Sequence, residues 1–272
     1  MQPKTRPTLI LAISILALIF TSPLSAQFDP CQPMPQGTTF TLSQAGGARI
    51  PAVAMFPDGR SIVVYETGSP PGNDDSRLAI VARRLDASGQ FEGDEFQVNT
   101  FIDEDQHVAD VAVAPNGAFV VAWETDAPSV SGDNGDIRAR VYRPDGTPAG
   151  DDFQVNDIPD GWQRRPSVAM NNQGFVVVWD TNDLSAGNDA SGQSIQGRRY
   201  DSDGTPLSGQ FQVNSVVGSD QYIPDVAMHP DGRFAVVWQS DTSDGDDNSS
   251  RSVQVRRYAA NGTPLEAEQQ LN

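Results

Sequence analysis

"VAMHPDGRFAVVW", Val226 to Trp238, decides the fold because three near copies precede it: "VAMFPDGRSIVVY" from Val53, "VAVAPNGAFVVAW" from Val111 and "VAMNNQGFVVVW" from Val168. The opening valines stand 58, 57 and 58 residues apart. A second marker keeps the same step, "FQVN" ending at Asn99, Asn156 and Asn214 and "QQLN" at Asn272. A constant period over most of a chain is the signature of stacked supersecondary units, each too small to bury its apolar surface alone.

Each unit reads as four short strands, A to D. Segment A is the "VAM" run, and B is the apolar run ending in Tyr65, Trp123, Trp179 or Trp238. Segment C is "IVARRL", "IRARVY", "IQGRRY" or "VQVRRY", and D is "FQVN". A and B are almost continuously apolar, as strands covered on both faces are. C and D alternate, which predicts one wet face. Turn chemistry separates them: Pro57-Asp58-Gly59, Pro115-Asn116-Gly117, Asn172-Gln173-Gly174 and Pro230-Asp231-Gly232 between A and B, then Ser88-Gly89, Asp145-Gly146, Asp203-Gly204 and Asn261-Gly262 between C and D. Proline presets the first turn dihedral and glycine accepts positive φ, so both connections read as hairpins.

Four-stranded antiparallel units at this period resemble the blades of a β-propeller. "HPDGRFAVVW" resembles the PDG-type hairpin of WD40-like bacterial propellers, and the whole unit resembles repeats of large secreted bacterial proteins, where they accompany calcium-binding and adhesin-like regions. "DSDGTPL" from Asp201 lacks the spacing and the Trp of the sialidase box, so that activity is not implied. The expected fold is all-β, a propeller of four-stranded antiparallel blades over residues 38–272, with repeats near 44–99, 100–156, 157–214 and 215–272. Phe40-Thr41-Leu42-Ser43 aligns with segment D as a spare strand. Either it competes to complete the fourth blade and close a ring, or the repeats belong to a longer array.

Lys4 and Arg6, an apolar run from Leu9 to Phe20 and the small pair Ser25-Ala26 give residues 1–26 the form of a secretory signal peptide, followed by a leader over 27–37. The apolar run is short of the roughly 20 residues that span a bilayer. The expected product is therefore secreted, extracellular or on the cell surface, with the periplasm as the alternative, and without membrane insertion after cleavage. Removing Lys4 and Arg6 leaves 16 basic residues against 36 acidic ones, a formal charge of −20. Such a surface repels nucleic acid and anionic membranes. Cys31 is the only cysteine, so no intrachain disulfide forms.

Strand direction alternates, so the A–B and C–D hairpins share one end of every blade and the longer B–C and D–A loops share the other. The long-loop end holds 17 of the 36 acids. Clustered carboxylates with Asn, Ser and backbone oxygens suit Ca²⁺, which takes six to eight oxygens. The candidate metal ligands are Asp244, Asp246 and Asp247, with Asp133, Asp136, Asp74, Asp75 and Asp189 in the other B–C loops; solvated turns are the alternative reading. Phe101, Trp162 and Tyr222, one per D–A loop, are candidate ligand-binding residues, since an aromatic face beside carboxylates can stack on a sugar ring.

Two columns read as structural. Tyr65, Trp123, Trp179 and Trp238 are expected between blades; Arg83, Arg140, Arg198 and Arg256 recur on segment C opposite Glu66, Glu124, Asp180 and Gln239, which predicts a cross-strand charge pair in three blades, weakened in the fourth by Gln239, with the Arg over the indole. Catalytic hardware is sparse: His107 and His229 fall at opposite ends, and Lys4 is the only lysine. The expected function is a secreted binding or adhesion scaffold that holds an extracellular protein or carbohydrate, with Ca²⁺ as the one cofactor considered. A structural spacer of a larger surface protein and a carbohydrate-active enzyme using two carboxylates are the alternatives.

Overall fold

Each repeat folds into its own antiparallel sheet, with hydrogen bonding in chain order. The first contains β1 (Arg49–Met55), β2 (Ser61–Thr67), β3 (Ala79–Leu85) and β4 (Phe96–Gln97). The second contains β5 (Gln106–Val113), β6 (Phe119–Pro128), β7 (Asn134–Tyr142) and β8 (Phe153–Gln154). The third contains β9 (Gln163–Met170), β10 (Gly174–Thr181), β11 (Ser194–Asp201) and β12 (Phe211–Gln212), and the fourth β13 (Gln221–Met228), β14 (Phe234–Ser240), β15 (Ser252–Tyr258) and β16 (Gln269–Gln270). The computed structural model describes residues 41–43, 47–71, 78–102, 104–128, 134–158, 161–182, 192–241 and 251–272. The chain divides into two units, Met1–Phe40 and Thr41–Asn272, and every described residue lies in the second. None of the described residues is helical.

Successive sheets stack through their first strands, β1 on β5, β5 on β9 and β9 on β13. This is the propeller arrangement, with segment A innermost. Each sheet has a trailing face toward the preceding blade and a leading face toward the next. Between the second and third blades, Val120, Ala122, Ile137, Ala139 and Val155 of one meet Val168, Phe175, Val177, Trp179 and Tyr200 of the other. Trp123, Trp179 and Trp238 are at most 2% exposed, as expected of an inter-blade column. Each indole N–H donates to a buried glutamine that opens the inner strand, Gln106, Gln163 or Gln221, at 2.8 Å. The Asn that ends "FQVN" accepts from the third strand of its own blade: Ile80 N to Asn99 at 3.0 Å, Ile137 N to Asn156 at 2.9 Å and Ile195 N to Asn214 at 2.9 Å.

The strand C arginines do not pair with the strand B acids. Glu66 lies opposite Ile80 while Arg83 lies opposite Val63, three rungs away, and an odd offset places the two side chains on opposite faces. Arg83, Arg140, Arg198 and Arg256 instead reach back to the preceding D segment, donating to the carbonyls of Leu42, Val98, Val155 and Val213 at 2.6–2.8 Å. Nor do they cover the indoles: Arg140, Arg198 and Arg256 stand near Tyr142, Tyr200 and Tyr258 of their own strands. The third strands are also drier than alternation predicts, β3 and β11 being buried over most of their length; neighbouring sheets cover both faces of β11, while β3 has the second blade on one face and the cluster with Leu42 on the other. Gly59, Gly117 and Gly232 turn with φ near +90°, whereas Gly174, in the hairpin one residue shorter, is already part of β10.

Candidate functional site

At the long-loop end every inner strand carries a bulge at the same place. Pairing shifts between Arg49 and Ala52, between His107 and Asp110, and between Tyr222 and Asp225, and in β9 it shifts opposite Val178 to Asp180. The residue inside each bulge has positive φ: Ile50 +48°, Val108 +43°, Arg165 +51° and Ile223 +54°. Non-glycine residues avoid this region, and β-branched ones most strongly. Strain repeated in four blades needs an anchor. The last turn of the preceding B strand supplies one in three of them: Val108 N donates to Glu66 at 3.1 Å, Arg165 N to Glu124 at 3.4 Å and Ile223 N to Asp180 at 3.4 Å.

These three acids are buried, Glu66 at 2%, Glu124 at 7% and Asp180 at 0% exposure, so each is paired. Glu66 meets Arg49 at 2.8 Å and His107 at 3.5 Å, Glu124 meets Arg164 at 3.5 Å, and Asp180 meets Arg165 at 2.8 Å. Burial pushes the Asp180 carboxyl up to about 6 against the opposing pull of Arg165. Burial likewise raises Glu124, against the Arg165 N–H and the Arg164 charge. Deeper on the inner strands, Asp110 accepts from Val168 N at 2.8 Å and Ser167 donates to Asp225 at 3.0 Å. Burial holds Asp110 above the ordinary carboxylate range.

Two of the three candidate aromatics stand at this end beside the arginines. Arg164 covers the Trp162 ring at 4.8 Å, and Trp162 N donates to Asn182 at 2.8 Å. Arg165 lies 5.8 Å from the Tyr222 ring, whose phenol is raised by burial and by Asp241. Phe101, in the D–A loop of the first repeat, is instead engaged by the second blade's outer strands: Arg138 of β7 covers its ring at 4.5 Å and its N–H donates to Asp152 at 2.9 Å. Asp136 is buried at the start of β7, where it accepts from Asn156 at 2.8 Å. Asp74, Asp75, Asp133, Asp189, Asp244, Asp246 and Asp247 lie outside the described residues.

Among the described residues, Asp105, His107 and Asp126 each bring a ligand atom within 4.8 Å of the others. One imidazole with two carboxylates is a donor set closer to zinc than to calcium. His107 is already engaged there, 3.1 Å from Asp126 and 3.5 Å from Glu66.

No protein-family model matches the chain, and no curated protein matches it in sequence. Solved structures do. A Dyadobacter fermentans protein of unknown function superposes with a TM-score of 0.56 at 12% identity, over 82% of this chain and 68% of that one. A Penicillium chrysogenum α-L-arabinanase complexed with arabinobiose gives 0.55 at 15% identity, over 82% and 66%. A mutant Fusarium graminearum α-L-arabinofuranosidase in complex with an iminosugar inhibitor gives 0.54 at 11% identity, again over 82% and 66%. The shared property is the propeller fold. The chain spans about two thirds of the length of these structures.

The sequence reading missed the bulges and the carboxylates that hold them. The acid column was visible, but a one-residue shift in an inner strand leaves no mark in composition. The Gln106, Gln163 and Gln221 column could have been found, since each stands five residues before its repeat valine.

Proposed function

We propose that the protein is a secreted binding module of adhesion type, which holds an extracellular carbohydrate or protein at the long-loop end of its inner strands. The observation that carries this reading is the pairing of Trp162 with Arg164 and of Tyr222 with Arg165, beside carboxylates already engaged by the fold. Asp180 accepts from a backbone N–H and a guanidinium, and Glu66 is held the same way. Recognition therefore falls to the rings and the half-exposed guanidinium of Arg164. An aromatic face binds the apolar face of a sugar, and flanking charged groups bind its hydroxyls.

The test is an immobilised panel of glycans and extracellular-matrix proteins. Arabino-oligosaccharides belong in it because the arabinanase of the same fold was solved with arabinobiose. Saturable binding that weakens tenfold or more, about 1.4 kcal/mol, in both Trp162→Ala and Tyr222→Ala is the expected result. Binding to no probe would return the protein to the spacer reading.

A further inference from the structure

The leading faces of the first three blades are sealed by the next blade, and the fourth is not. The third-strand positions Ile80, Ile137 and Ile195 and the D-segment positions Val98, Val155 and Val213 are all 0% exposed. Their counterparts in the fourth blade, Val253 and Leu271, are 42% and 59% exposed. Ala235 and Val237 of β14 are half-exposed where Val176 and Val178 of β10 are fully buried. The open face continues into an apolar groove lined by Ala227, Phe234, Ala235, Arg257, Tyr258 and Leu265.

A charged group on this face tells the same story. Arg84 donates to Gly146 O at 2.9 Å, and Arg199 donates to Ala260 O and Asn261 O at 2.6 Å, each gripping the C–D turn of the following blade. Arg257 occupies the corresponding position in β15. It turns instead to Glu266 of its own blade, pairing on the surface with its side chain 60% exposed.

The surface that fits is known, because three copies of it are buried in this molecule. A trailing face offers Phe, Val and Trp from strand B and Tyr from strand C, as Phe234, Val236, Trp238 and Tyr258 do toward the third blade. A second copy of the chain does not offer it. The one trailing face of a second copy that no described sheet covers, that of the first blade, is already buried, with Val63, Tyr65, Val81 and Leu85 at most 7% exposed; Ser61, Tyr65 and Leu85 there replace Phe, Trp and Tyr, and Leu42, held by Arg83, packs against the cluster.

We propose that the leading face of the fourth blade is a docking site for a further sheet of this repeat class, one that presents a Phe-Val-Trp strand and a C–D turn for Arg257. The inference is independent of the long-loop site and of what it binds.

The probe is the full chain lengthened by a second copy of residues 215–272, compared with the unextended chain by thermal melting and sedimentation. A rise in Tm of about 5 °C, the size expected when a blade interface forms, supports the proposal. Val253→Asp with Leu271→Asp, placed in the original fourth repeat, should leave the Tm of the unextended chain unchanged, because both side chains are exposed there, and should cancel the gain in the extended one. An extended chain that melts like the unextended chain, with the added repeat cleaved readily by protease, would overturn it. So would a concentration-dependent dimer of the unextended chain that the same two substitutions abolish, since a second copy would then be the occupant.

Discussion

Asp180 shows how one buried acid ties the candidate site to stability. Its carboxyl is fully buried and pushed up to about 6, whereas an unfolded aspartate titrates near 4. The folded state thus holds the proton more tightly. The resulting stabilisation is complete below about pH 4 and is lost as pH rises through about 6, on the order of 3 kcal/mol over the window. Asp180→Asn keeps an acceptor for Ile223 N but cannot ionise, and Arg165 is exposed enough to turn to water. The difference in stability between parent and variant, measured by urea unfolding from pH 4 to 7, should therefore move in favour of the variant as pH rises. A difference that stays flat would show that Asp180 titrates normally.

Strands carry the strain that the residues anchor. Ile223 is 55% exposed, so its side chain contributes little burial, yet it sits at φ +54° in the bulge of β13. An L-residue in the left-handed region gives up roughly 1–2 kcal/mol that glycine does not. Ile223→Gly is expected to gain about 1 kcal/mol or to leave stability unchanged, the greater freedom of unfolded glycine offsetting part of the relief. Val226→Gly, three residues on and buried between blades, should lose several kcal/mol in the same urea titration. Equal losses at the two positions would mean that the bulge is not strained. This is also where the sequence reading stops. Hairpins, strand order and the tryptophan column were legible because turn residues and apolar runs recur at a constant step. The role of Glu66, Glu124 and Asp180 was not, because it depends on register: the acid lies three rungs from the strand C arginine and across a blade boundary from the bulge it holds. A column of like residues gives the position of an interaction but not its partner.

At the scale of the whole chain, the B–C and D–A segments, which alternating strand direction is expected to bring to one end of the blades, carry 17 of the 36 acids. Mutual repulsion among carboxylates is relieved by a divalent cation, which is why the expectation of Ca²⁺ drawn from the sequence belongs to this scale and not to any one loop. A cation bound at one hundred times its Kd adds about 2.7 kcal/mol to the folded state, enough to shift a melting midpoint by several degrees. Melting in millimolar Ca²⁺ should exceed melting in chelator by that amount. Mg²⁺, which keeps its waters and demands octahedral geometry, should do less. Asp244→Ala with Asp246→Ala should remove the Ca²⁺ increment and leave the chelator curve in place. A rise produced equally by Ca²⁺, Mg²⁺ and a matched increase in NaCl would be charge screening, which acts on exposed charges whatever their geometry, and the acidic loops would then be solvated turns. A Zn²⁺-specific rise lost in His107→Ala would instead assign the cation to the Asp105, His107 and Asp126 group on the second blade.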